Sequence, residues 1–265
     1  MSLRVEKRDV LAGIGGVGLW AVTSVAGCDT DTTTGSRVDY RITVASDVGR
    51  GTPFDNDFGW SIRLDEAILA LDSLVFVDGD PIARRWRRWL LREAHAHPGH
   101  FAEGRVLAEM LSPVDIDLLA PATELATVAG VTGMIRSGGL VFRDTSPPAD
   151  ASSSRRGATG AIRVAGAAVR GGDEVAFDAV ATADDLRDPA SGAPELRGCP
   201  VHDGDATEGG GTLALEVSVA TWLARVPFEE LSRDGASLVP GRAPHNAFVR
   251  GTRKAIAYTA TFRRS

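Results

Sequence analysis

The chain has 265 residues, 43% of them hydrophobic and 24% charged, enough for one large core or two small ones. A net charge of −6 and a pI near 5.4 exclude a protein whose affinity rests on neutralising nucleic-acid phosphates. After the N-terminal segment no apolar run reaches the ~18 residues that a membrane-crossing helix needs.

The first segment carries the most specific pattern. Arg4, Lys7 and Arg8 form a basic start, an apolar stretch runs from Val10 to Val25, and Val25-Ala26-Gly27-Cys28 closes it. Small residues before a cysteine suit a signal peptidase. The quartet resembles the lipobox of bacterial lipoproteins. That resemblance implies a signal peptide over 1–27, cleavage before Cys28, diacylglycerol on the Cys28 thiol, and an extracytoplasmic protein anchored to the cell envelope by lipid. Two or more acyl chains anchor stably where one is marginal. Glu6-Lys7-Arg8-Asp9 looks like a degraded twin-arginine motif, and Asp29 follows the cysteine; neither decides between inner and outer membrane. The glycine run at 13–18 is not a dinucleotide fingerprint, because no strand precedes it. Residues 28–37 are polar and read as a flexible tether.

From Val38 to the end the pattern is mostly period two, giving a single domain over 38–265. VDYRITV alternates Val38, Tyr40, Ile42 and Val44 with polar neighbours, as a half-buried strand does. WSIRLDEAILALDSLVFVDGD holds two more strand candidates before an Asp-Gly turn. GRVLAEML, VDIDLLA, GGLVFRD, AIRVAGAAV, EVAFDAVATA, TLALEVSV and AIAYTATFR follow. AIRVAGAAVRGGDEVAFDAV reads as a hairpin reversing at Gly171-Gly172. About ten short antiparallel strands separated by Gly, Pro and Asp turns predict an all-β protein, a β-sandwich. The Ser/Pro-rich stretch 145–160 is expected to be a flexible loop.

DPIARRWRRWLLREA interrupts the β pattern. Asp80 can cap a helix with Pro81 in its first turn, and Ile82, Trp86, Trp89 and Leu90 then share one face. The spacing predicts one short amphipathic helix near 81–94. It would either close an end of the sandwich or lie on an anionic membrane surface.

That helix runs into His95-Ala96-His97-Pro98-Gly99-His100, three of the chain's five histidines within six positions. Pro98 disfavours helix at His97 and Gly99 permits a sharp turn, so three imidazoles can converge. Three histidines suit zinc or copper. Cys199 and His202, separated by two residues on a loop before TLALEV, supply the other close pair of donor side chains, and one of them would complete a four-coordinate site. Their spacing is faintly similar to a cupredoxin ligand loop, but no methionine follows, so that fold is not expected. If Cys28 is acylated, Cys199 has no disulfide partner in the mature chain and reads as a buried thiol, a soft copper ligand or an intermolecular partner. His245 reads as a satisfied loop histidine, and Glu229-Glu230 as solvated.

There is no GxSxG elbow, P-loop or HExxH. The pattern therefore points to a membrane-anchored extracytoplasmic protein that binds copper or zinc for storage, delivery or sensing, with a metal-delivery or transport protein of the envelope as its partner. An envelope scaffold or adhesion lipoprotein is the alternative. A zinc hydrolase using His95, His97 and His100, with Glu93 or Glu103 as base, comes third.

Overall fold

The structure, a computed structural model, describes residues 35–79, 104–145, 159–231 and 236–265. The lipobox, the 81–94 helix, the histidine triplet and most of the 145–160 loop lie outside the described residues. Residues 34–265 form one compact unit. It is all-β, and no helix among the described residues is long and apolar enough to cross a membrane.

β1 (Arg37–Ser46) shows how the alternation folds: Tyr40, Ile42 and Val44 are buried while Arg37, Asp39 and Arg41 face water. Each large apolar side chain taken from water contributes on the order of 1.5–3 kcal/mol. After the two-residue β2 (Phe54–Asp55) comes β3 (Ser61–Val77), one strand of 17 residues where the sequence pattern suggested two. Its inward set begins on even positions, Ile62 and Leu64, and switches to Ala67, Leu69 and Leu71. It then returns to Leu74 and Phe76. Each switch coincides with an irregular register, at Leu64/Glu66 against one neighbour and at Leu71/Ser73 against another. An extra residue at a bulge reverses which face the alternation buries, so Asp65 and Asp72 stay exposed without ending the strand.

The remaining strands are β4 (Val106–Met110), β5 (Val114–Asp117), β6 (Thr123–Val131), β7 (Gly133–Met134), β8 (Ser137–Phe142), β9 (Ile162–Arg170) and β10 (Asp173–Ala181). β11 (Glu195–His202), β12 (Asp205–Ala206), β13 (Gly211–Val217), β14 (Ala236–Ser237) and β15 (Tyr258–Arg264) complete the set. The β9–β10 hairpin reverses at Gly171-Gly172, as the sequence pattern indicated, with both glycines at positive φ, 60° and 91°.

β3 is flanked by β4 and β5 on one side and by β8 and β9 on the other. The pairing then runs β3–β4–β6–β1–β13–β15–β11–β8 and back to β3, a hydrogen-bonded circuit that closes on itself. Its inward side chains meet across the interior as the layers of a sandwich do. Tyr40 of β1 packs edge-on against Phe262 of β15 (6.1 Å between centroids), and Phe142 of β8 against Tyr258 (6.2 Å). Not all pairs are antiparallel, as had been expected. β1 lies parallel to β13, β10 to β14 and β11 to β15. Parallel neighbours need long connections, and Tyr40 pairing with Gly211 has most of the domain between them.

Two helices pack at one end of the circuit: α1 (Val219–Leu223), capped by the Ser218 hydroxyl, and α2 (Ala243–Thr252). Trp222, Leu223, Ala247 and Phe248 are buried between them and the strands. Asn56 fastens the β2–β3 turn to this end. Its Oδ1 accepts from the N–H of Phe58 and Trp60, and its Nδ2 donates to Val226 O, all at 3.0 Å. Glu229 is not simply solvated: its carboxylate accepts from Trp60 Nε1 at 3.0 Å, and Arg170 stacks over the same indole at 4.5 Å.

Candidate metal centre

The residues that begin and end the histidine segment are fixed at the other end of the circuit. β3 and β4 run antiparallel, with Val77 opposite Val106. Asp78 N–H donates to Arg105 O at 3.1 Å, and Arg105 N–H donates to Asp78 Oδ1 at 2.6 Å. Gly104 has φ of 125°, and a Cβ there would lie 2.6 Å from Gly79 N, so the two glycines touch. Ser137 Oγ donates to Gly79 O at 2.8 Å. Residues 80–103 therefore leave and rejoin the sheet through one tightly bonded neck. His95, His97 and His100 belong to that segment, outside the described residues.

The neighbourhood of the neck follows from register. Val77 of β3 pairs with Ser137 of β8, and Ser137 pairs with Pro200 of β11. Two strand spacings, ~10 Å in all, separate the neck from the end of β11, where His202 is exposed. His202 therefore stands at the same end of the molecule as the neck. So does Met134, which is 41% exposed on β7 opposite Asp205 of β12. Asp205 is held below the usual carboxylate range by the hydroxyl and N–H of Thr207 and stays ionised. Ser36 reaches this end too, exchanging hydrogen bonds with Thr132.

Cys199 is placed differently from its sequence neighbour. The pair sits in β11, not in a loop, and three residues along a strand turn side chains to opposite faces. Cys199 is 2% exposed in the core, and burial pushes its thiol far above the ordinary value. Metal ligation requires thiolate, so this thiol behaves as a small apolar core group. Of the two side chains offered as a fourth ligand, Cys199 is buried in the core and His202 is exposed. His245 also lies in α2 and not in a loop; it is buried, with Nε2 3.1 Å from Val180 O.

Among the described residues, no group of three or more His, Cys, Asp or Glu side chains is arranged to hold a metal ion. No family model matches the chain, and no curated protein matches it. Among solved structures the chain is similar to MbnP from Methylosinus trichosporium, at 13% identity over 81% of this chain and 87% of that one, with a TM-score of 0.38.

The sequence pattern did not bring out Met134 or the neck. Met134 carries no local signal, and it gains interest only because β7 and β12 pair beside the end of β11. The neck residues Asp78 and Gly79 were legible as a turn, but their return partners Gly104 and Arg105 were not.

Proposed function

We propose that this is a lipid-anchored extracytoplasmic protein that binds copper or zinc through His95, His97 and His100. The observation that carries the reading is three imidazoles within six residues, on a segment whose two ends are bonded together at one end of a closed β circuit. Neutral imidazole is the commonest metal ligand near neutral pH.

His202 supplies the fourth ligand in this reading, in place of Cys199, because it is exposed at the end where the neck lies. The exposed thioether of Met134 at that end weights the choice toward copper, since soft sulfur donors select Cu(I). The lipid anchor proposed at Cys28 would keep the protein at the membrane surface. That placement suits exchange of metal with a membrane-embedded transporter.

Metal analysis of the full chain purified in detergent tests the reading, followed by competition titration of wild type and His202→Ala. One metal per chain, bound at least tenfold more weakly by His202→Ala, is expected. Unchanged affinity in that variant would confine the site to residues 95–100; absence of any retained or titratable metal would leave an envelope scaffold. Replacing Cys28 with serine is expected to abolish lipid labelling.

A further inference from the structure

At the end of the circuit opposite the neck, α1 and α2 border a cleft of about 200 Å³. Thr221, Arg225, Ala247, Arg250, Gly251 and Lys254 line it. Three cations around one small cleft stand out in a chain of net charge −6 whose 29 basic residues include only two lysines. Such a concentration raises the local potential for anions.

Ion pairing within the fold accounts for only part of this charge. Arg225 uses its Nε on Asp57 at 3.2 Å, which leaves the terminal guanidinium nitrogens for the cleft. Arg250 and Lys254 are exposed and, among the described residues, neither meets a carboxylate. Arg250 stands in the last turn of α2, where the helix dipole favours a cation, but neither side chain is needed to cap the helix. The last carbonyls of that helix are already taken: Val249 O by Arg253 N–H and by Thr252 Oγ1, and Gly251 O by Lys254 N–H. Two like charges four residues apart repel, so the folded chain keeps them together against their own electrostatics. The two helices that line the cleft pack closely, because a Cβ at Gly251 would come within 2.3 Å of Trp222 O.

We infer that this cleft binds an oxyanion of the phosphate class, held by Arg225, Arg250 and Lys254. Guanidinium groups offer paired donors to phosphate oxygens, and the lysine adds a point charge. A free phosphate or phosphate ester is the favoured source over a lipid headgroup. The cleft lies at the far end of β1 from Gly35, where the chain enters the domain, and that strand of 10 residues is ~33 Å long.

The test is calorimetric titration of the full-length protein in detergent, at constant ionic strength in chloride, with inorganic phosphate and separately with glycerophosphoglycerol, a soluble phosphodiester headgroup. Wild type is compared with the Arg250→Ala/Lys254→Ala double variant and with Arg263→Ala, an exposed cation outside the cleft. Saturable phosphate binding, weakened at least tenfold in the double variant and unchanged in Arg263→Ala, is the expected result. Binding of the diester alone, lost in the same double variant, would keep the cleft as a phosphate-class site and assign it to headgroups. No binding of either compound, or equal binding by the double variant and wild type, would overturn the proposal. Melting temperatures of both variants, whose replaced side chains are exposed, are expected to match wild type.

Discussion

Cys199 and Tyr258 set the behaviour of the core at high pH. Both are buried acids whose neutral forms the interior favours, chiefly because desolvation penalises their anions. In the unfolded chain they titrate at ordinary values, 9.0 for the thiol and 10.0 for the phenol. The unfolded state therefore releases protons that the folded state keeps. Stability is intact below the unfolded thiol value and falls as pH rises through it, by about 1.4 kcal/mol per pH unit for each group once deprotonation in the unfolded chain is complete. Urea unfolding at pH 8 and pH 11 should show this loss. Cys199→Ala should lessen the alkaline slope by one group while lowering stability at pH 8 by about 1 kcal/mol through the small void it leaves. Equal slopes in the two proteins would mean that the thiol is not buried in the folded chain.

At the scale of elements, β3 organises the domain, and its register depends on one glycine. Leu64 pairs with Gly166 and Glu66 with Ala165, so Asp65 bulges over that point of β9. A Cβ on Gly166 would fall 2.0 Å from Arg63 O, a backbone oxygen that cannot swing aside. Gly166→Ala should cost more than about 2 kcal/mol, whereas Ala168→Gly, one pleat away, should lose only the smaller packing and entropy terms. Thermal unfolding of both variants checks the contrast. The same strand shows how far the pattern could be read. Nine candidate segments, from VDYRITV to AIAYTATFR, correspond to strands of the domain, because their alternation faces one core. The two-strand reading of β3 failed because parity reverses at Asp65 and Asp72, which looks from sequence like an ending. β11 was missed because Arg197, Gly198 and Pro200 carry no β signal; pairing with β8 and β15 makes it a strand. α2 was missed because Pro244 and Gly251 mask a short apolar face that only packing against α1 and the strands reveals.

For the whole molecule, every strand pairing of the closed circuit is made by residues outside 80–103. The neck bonds of Asp78, Gly79, Gly104 and Arg105 resemble those that close a hairpin, so an Asn-Gly turn in place of residues 80–103 is expected to preserve the fold. Such a protein should melt within a few degrees of wild type and bind no metal. A collapse of cooperative unfolding would mean that the segment contributes core packing as well as ligands. The metal reading comes from the sequence, where the triplet and both candidates for a fourth ligand were visible. Cys199 looked equal to His202 in the sequence, and only the alternation of β11 separates a core thiol from an exposed imidazole.

The central claim is that His95, His97 and His100 hold the metal. Because imidazoles must be neutral to bind, affinity should also fall as pH drops through the histidine range near ~6.5. The most direct measurement is competition titration of copper and zinc into the full-length protein and its His97→Ala variant at pH 7.5 and pH 5.5. The account predicts stoichiometric binding by wild type at the higher pH, a loss of at least tenfold in His97→Ala, and weakening of wild type at the lower pH. Binding by His97→Ala as tight as that of wild type would contradict it.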